Sequence, residues 1–412
     1  MDEFTERSDA YSKDVSVRNA TSADAGAVRS ARRQVPFAGF AINGKFASQR
    51  ITGVQRVGYE LAMAFQRLFP EDTDLPLLLP VDARTDVELP KAKRVGHLLK
   101  GSLWEQFALP FATGGRTLLS LCNMGPLLAR RQVVMVHDVA VYDLPENYSW
   151  KFRLWYRFAF SILKHSASHI VTVSEFSKKR IMARLGIDES RVSVVWNGVD
   201  HFEKIAVDKS ILSRLNLRHD GYVLAVGNLS VGKNLARVLR AIEQLSERHD
   251  WKFVVAGGCD LRIFNPKAKA GYDLSENIIA AGFVSDGELR ALYENAACFV
   301  FPSLYEGFGL PPLEAMLCGC PVVASREASL PEICGDAAVY CNAHSVEDIA
   351  DKVEQLMGDA SLREACRARG REHARHFRWE RSARQLLDVL ERQLGPAGAT
   401  RSGRVPPVVS RF

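Results

Sequence analysis

The stretch "VLAVGNLSVGKNLARVL", Val223 to Leu239, decides the fold: an apolar run passes through a glycine-bounded loop into an amphipathic run. Residues 222–226 read as a strand, 227–232 as a turn-rich loop, and 234–248 as a helix with apolar residues at helical spacing. Strand, loop and helix in that order form the unit of a parallel α/β sheet, whose ligands bind at the strands' carboxyl ends. Gly227, Gly232 and Lys233 fall at the spacing of a nucleotide-triphosphate P-loop. The residue after the lysine is Asn234, which has no hydroxyl for magnesium, and the next apolar run, "WKFVVAGG", ends in glycines where a metal-binding aspartate belongs. An anion site without metal fits better, because a helix N-terminus offers unpaired N–H groups and about half a positive charge, to which Lys233 adds its own.

The same alternation extends both ways. Upstream, strands are predicted at 37–42, 75–79, 118–121, 133–136, 169–173 and 192–195, with helices at 54–68, 103–111, 148–164 and 175–185. Downstream, strands at 253–256, 278–281, 298–301 and 322–324 alternate with helices at 286–295, 311–317 and 346–357. A chain of 412 residues exceeds what one core of about 250–300 residues supports, so two parallel-sheet domains in series are expected. The expected division is a disordered segment at 1–35, a first domain at 36–198, a second at 199–376, a helix at 377–394 returning to the first, and a flexible tail at 395–412.

Fifty-four Lys and Arg against forty-eight Asp and Glu leave +6, too mild for nucleic acid and compatible with a phosphorylated ligand or an acidic membrane surface. Eight scattered cysteines without Cys-x-x-Cys spacing imply a reduced, cytosolic protein. No apolar run of about 18 residues suggests a membrane span, and no apolar leader a secretion signal. Asp72 and Asp74 in "EDTDL" precede an apolar run instead of following one, and read as a surface turn.

A second strand–loop–helix unit carries carboxylates: "CFVFPSLYEGFGLPPLEAMLCGCPVVAS", Cys298 to Ser325. Gly307 and Gly309 permit close backbone approach to a ligand, and Pro311 and Pro312 open a helix. Glu314 is expected in that helix's first turn, where its carboxylate accepts both hydroxyls of a ribose. Glu306 lies in the loop itself.

Together these stretches, with "VVMVHDVAVYD", "VTVSEFSKKRI" and "WNGVD" upstream, resemble the retaining glycosyltransferases of the GT-B fold, glycosyltransferase family 4. The resemblance implies an α/β chain of two Rossmann-like domains facing each other across a cleft. It also implies a nucleotide sugar as donor substrate and neither cofactor nor metal. Glu306 would contact the donor sugar and support charge at its anomeric carbon, and Phe308, Gly309 and Leu310 would offer N–H groups to sugar and diphosphate. Glu314 would hold the ribose and Lys233 the diphosphate, with Gly227 and Asn228 in the same loop. His137 would face the transferred sugar, Gly53 would let backbone approach the phosphates, Arg56 would add charge, and the base would rest near Gly282, Phe283 and Val284.

The chain departs from the family in having Gly232 where many relatives carry arginine. The "TGVQR" and "HDVAVYD" stretches resemble mannosyltransferases of bacterial polysaccharide assembly, which implies GDP-mannose as donor, with UDP-, dTDP- or ADP-sugars as alternatives. The implied acceptor is a glycan or a polyprenyl-diphosphate-linked glycan, at the inner face of the cytoplasmic membrane. A basic aromatic segment, "KFRLWYRFAFSILK" (Lys151 to Lys164), fits either a bilayer contact or an ordinary packed helix. A GT-B-like epimerase or phosphorylase, a catalytically silent partner and a P-loop NTPase are the competing readings.

Overall fold

The computed structural model describes residues 39–84, 89–96, 98–227, 230–258 and 277–394. The disorder expected at 1–35 and in the tail, and the site residue Asn228, lie outside the described residues.

Among the described residues thirteen strands form two sheets, all of whose strand pairings are parallel. The first holds β1 (Phe40–Asn43), β2 (Leu77–Leu79), β3 (Ala92–Arg94), β4 (Thr117–Ser120), β5 (Gln132–Met135), β6 (His169–Thr172) and β7 (Val192–Val194) in the order 3-2-1-4-5-6-7. The second holds β8 (Tyr222–Val226), β9 (Lys252–Ala256), β10 (Ile278–Gly282), β11 (Cys298–Phe301), β12 (Val322–Ser325) and β13 (Val339–Cys341) in the order 10-9-8-11-12-13. Each sheet reverses its winding direction once, between β1 and β4 and between β8 and β11. Such a switch point separates the loops leaving two neighbouring strands and opens a crevice at their carboxyl ends.

The central strands are buried end to end because helices cover both faces, which is why they read as continuous apolar runs. The edge strands β3 and β13 were not foreseen. β3 is three exposed residues, Ala92, Lys93 and Arg94, whose side chains carry no burial pattern. The helix Ala360–Ala374 was missed for a related reason: its buried stripe is Cys366, Arg367, Gly370 and Ala374, small or charged residues that give no apolar periodicity. In the segment expected as one helix at 103–111, five residues, Trp104–Ala108, wind as a π-helix.

The helix Trp379–Leu394 packs on Gly53–Arg67 in the first domain. Its chain crosses beside residues 196–200: Val199 N–H donates to Phe377 O, Trp379 N–H to Asp200 Oδ1, and Ser382 Oγ to Trp196 O. A Cβ on Gly198 would meet Trp379 N at 2.3 Å, so glycine is required where the two strands of chain touch.

Candidate active site

A cavity of about 530 Å³ lies between the carboxyl ends of the two sheets, within the range of small-ligand sites. Loops leaving β8 and β11, neighbours at the second switch point, bring Lys233 Nζ to 2.8 Å from Glu306 Oε1. Ser303 Oγ lies 2.6 Å from the same oxygen, and the ammonium sits 5.1 Å from the Phe301 ring centroid. Carboxylate and ammonium thus meet through the loops that follow two neighbouring strands.

Lys233 does not open a helix. It ends a 3-10 turn, Val231–Lys233, and the helix Leu235–Ser246 starts beyond Asn234, which adopts a left-handed φ of 58°. The Asn234 amide donates to Pro302 O at 2.9 Å and Ala343 O at 2.7 Å, so this buried side chain fastens the loop to the domain interior. Gly232 also has a structural reason: its Cβ position lies 3.2 Å from Leu144 Cδ1 of the first domain, and the neighbouring Val231 N–H donates to Asn147 Oδ1. An arginine there would stand where the first domain docks.

Gly307 is glycine for the same kind of contact. A Cβ would come within 2.6 Å of His137 O and 3.1 Å of Asp138 Cβ, so what approaches its backbone is the first domain itself, a closer constraint than the ligand expected from sequence. Ser174 Oγ donates to Gly307 O at 2.6 Å, and Ser177 Oγ lies 2.9 Å from His137 O. Gly309 has φ 104°, which l-residues avoid, and caps the helix Leu310–Leu317. Because that helix begins at Leu310, Glu314 is its fifth residue and lies in the second turn, not the first.

Burial pushes the Glu314 carboxyl up to about 7, against the opposing pull of Arg56 and Lys233. His201 Nε2 lies 3.7 Å from Glu314 Oε1. This is no ion pair: burial lowers the imidazole to about 3, and Trp379 Nε1–H donates to His201 Nδ1 at 3.1 Å, which leaves the ring proton on Nε2, toward the carboxylate. Arg56 is ion-paired with Asp286 across the domains and lies 3.8 Å from Glu60.

His137 follows β5 and lines the cavity, with its Nε2 2.8 Å from Leu121 O, where a neutral ring donates. Burial lowers its pKa to about 4. Gly53 begins its helix at the cavity edge, where its Cβ position meets Leu310 Cδ1 at 3.9 Å and nothing nearer. Phe308, Gly309 and Leu310 line the cavity as well. Gly227 and Val284 are not among its walls: Gly227 N–H donates to Ala256 O, and Val284 packs against the core. Phe283 is exposed, with the Arg50 guanidinium 4.4 Å over its ring.

The profile described as "Glycosyl transferases group 1" matches residues 212–373, and that described as "Glycosyltransferase Family 4" matches 107–202. The O-antigen chain mannosyltransferase B of Escherichia coli is 33% identical over 275 residues, 65% of this chain and 71% of that one. The chain is a family 4 glycosyltransferase. The O-antigen chain mannosyltransferase RfbU of Salmonella typhimurium is 26% identical, over 62% of this chain and 70% of its own. The structure of Anabaena HepE in complex with UDP and glucose superposes with a TM-score of 0.64 at 16% identity, over 86% and 99% of the two chains, and shows the shared GT-B fold.

In this glycosyltransferase the P-loop reading fails on Asn234, whose side chain is spent inside the domain. Sequence reasoning missed Asp138, Asn197, His201 and Asp286, all of which line the cavity. Asp138, beside His137, has its carboxyl raised by burial, and its Oδ1 accepts Ala140 N–H at 2.9 Å. Asn197 and His201 fall in the polar break between the domains, where strand and helix periodicity give no signal.

Proposed function

We propose that this glycosyltransferase moves mannose from GDP-mannose to a hydroxyl of a glycan or polyprenyl-linked glycan in O-antigen or exopolysaccharide assembly, retaining the anomeric configuration without a metal. The observation that carries the reading is the Lys233–Glu306 pair facing Glu314 and Arg56 across one cavity. The two relatives named as O-antigen mannosyltransferases support the sugar and the pathway.

In this mechanism the bond from the anomeric carbon to the diphosphate oxygen breaks while the acceptor oxygen bonds the same face. The acceptor's proton passes to the departing phosphate oxygen. Lys233 and the starts of the helices after β8 and β11 stabilise the charge gathering on the diphosphate, the role in which preorganised positive groups lower a barrier most. Glu306, held by Ser303 and Lys233, faces the positive charge on the sugar carbon. Glu314 accepts the ribose hydroxyls, and the base lies toward Phe283.

The working place is the inner face of the membrane. The helix Trp150–Ser166 exposes Trp150, Phe152, Leu154, Trp155 and Phe158, and contains Lys151, Arg153 and Arg157 but no acidic residue. Exposed aromatics beside unopposed cations fit an anionic bilayer. Lys164, counted with those cations from sequence, instead donates to Leu185 O.

A melting-shift screen with GDP-, UDP-, dTDP- and ADP-sugars tests the donor: GDP-mannose is expected to give the largest shift, and a larger one with another base overturns that choice. Transfer is expected to survive a chelator and to yield the donor's own anomer by NMR; an inverted product would discard the mechanism.

A further inference from the structure

Residues 197–201 lie in the connection between the two sheets, and the helix Trp379–Leu394 crosses back beside them. At that crossing one polar atom is left over. His201 is 5% exposed, lines the cavity between the sheets, and its Nε2 is buried without a hydrogen-bond partner among the described residues. Buried polar groups are nearly always paired, so an orphan beside a ligand cavity needs a reason.

The other side of the ring decides where its proton sits. An indole nitrogen only donates, and Trp379 Nε1–H, on a buried side chain, donates to His201 Nδ1 at 3.1 Å. The neutral ring therefore carries its proton on Nε2, 3.7 Å from Glu314 Oε1, a separation that a small side-chain movement turns into a hydrogen bond. Trp379 is fixed in turn: its backbone N–H donates to Asp200 Oδ1, and its helix packs on Gly53–Arg67. Trp379, His201 and Glu314 thus form a line from the crossing helix to the cavity.

Glu314 needs such a donor once it is charged. Burial raises its carboxyl to about 7, ahead of the opposing pull of Arg56 and Lys233 and the push of Asp286. Both cations are engaged, Arg56 with Asp286 and Lys233 with Glu306. Tyr293 and Cys318 also face Glu314, and burial raises both and keeps them neutral. On the His201 side the charged neighbours are Arg56 and Lys204. Two ribose hydroxyls take only part of a carboxylate's acceptor capacity, which leaves a position on Oε1 for the imidazole N–H.

We infer that His201, oriented by Trp379, is the positioning residue for Glu314: when a nucleotide's ribose binds, the Nε2–H closes onto Oε1 and holds the ionised carboxylate for the two hydroxyls. This rests on the reading of Glu314 as the ribose ligand, and adds what holds it there. Movement of the crossing helix then reaches the ribose through one ring.

The test measures Kd on the full chain by calorimetry for GDP and for 2′,3′-dideoxy-GDP, with UDP and its dideoxy form alongside so that the base does not decide the outcome. The wild type is expected to prefer the ribose forms. H201N keeps an oxygen for the Trp379 N–H but places nothing at the Nε2 position, and should shrink that preference about tenfold, the loss of one hydrogen bond to a charged group, with the dideoxy forms bound as before. H201Q, whose amide reaches the Nε2 position, should restore it. W379F should shrink the preference about threefold beside His201 and leave it unchanged in H201Q, whose amide has no tautomer to fix. Losing a donor to the charged form raises a carboxyl's pKa, so the rise of the preference through about pH 7 should move to higher pH in H201N. The phosphate's own titration near about 6 is common to both nucleotides and cancels in the ratio. Each ratio is internal to one folded variant, so lost stability does not imitate the effect. Equal losses of ribose and dideoxy forms in H201N, with the pH profile in place, overturn the assignment, as does an equal W379F effect in both backgrounds. A wild type that does not distinguish ribose from dideoxyribose instead overturns the reading of Glu314, and this assignment with it.

Discussion

Lys233 and Glu306 neutralise each other in the free protein, and the arriving diphosphate competes for the same ammonium. Removing either leaves the other charged group partly buried without its partner, so K233A and E306Q are each expected to lower kcat/KM about 100- to 1000-fold. Steady-state kinetics with GDP-mannose decides it; near-native turnover in both would remove them from the mechanism. Glu314 brings pH dependence. Its carboxyl is raised by burial from 4.5 to about 7, so the stability it contributes relative to E314Q is complete below about 4.5 and is lost as pH rises to about 7. Ribose hydroxyls donate best to the ionised carboxylate, so donor affinity should rise as pH passes through about 7. Calorimetric titration from pH 6 to 8 should show that rise in the wild type and a flat profile in E314Q. The residue types of this site were legible in the sequence: Lys233, Glu306 and Glu314 could be named from strand–loop–helix units with their glycines, and His137 through the family resemblance. Asp138 and His201 were not, since a polar residue in a connection carries no periodic signal.

At the scale of elements, the loop from Glu306 to Gly309 is set by two different constraints that look alike in sequence. Gly307 has no room, with His137 O 2.6 Å from a Cβ, whereas Gly309 has a left-handed φ of 104° as well as Leu330 Cδ2 at 2.8 Å. G307A should therefore push the domains apart at this contact, lowering stability by about 1–3 kcal/mol and transfer with it. G309A strains the helix cap itself, at a cost of about 1–3 kcal/mol. Denaturant unfolding measures both, and small-angle scattering separates them: G307A is expected to be more open, G309A of native dimensions. Helices and central strands with strong apolar patterning were legible, as at 286–295, where Ser285 and Glu288 also form a capping box. The helix Ala360–Ala374 was not, because its buried stripe is made of small residues and Arg367; a Cβ at Gly370 would lie 3.3 Å from Met316 Cβ.

Across the whole molecule, the two domains are stitched by charged and polar side chains at several points. Glu332 of the second domain accepts Glu175 N–H at 2.9 Å and Phe176 N–H at 3.1 Å, capping a first-domain helix, and Tyr305 OH donates to Asp143, which Arg180 and Arg184 also hold. The outer face of the first domain carries the opposite character. Leu103, Phe107 and Phe111 are exposed there, as are Trp150, Phe152, Leu154, Trp155 and Phe158 on the helix Trp150–Ser166. If that face seats on an anionic bilayer, replacing Lys151, Arg153 and Arg157 by glutamine should reduce sedimentation with phosphatidylglycerol vesicles about tenfold, while W155A should weaken binding to neutral and anionic vesicles alike. Binding unaffected by either would leave the face without a membrane role.

The sequence by itself determined the class of fold, because burying both faces of a parallel sheet demands continuous apolar runs separated by amphipathic helices, and that demand is local. It also determined the chemistry on offer at each strand end: a lysine, two glutamates, a histidine. Tertiary structure alone decided which of these meet, why Gly232 replaces arginine and Gly307 tolerates no side chain, and that Asn234 is turned inward. Those facts depend on the distance between residues far apart in the chain, which strand order sets and periodicity does not record.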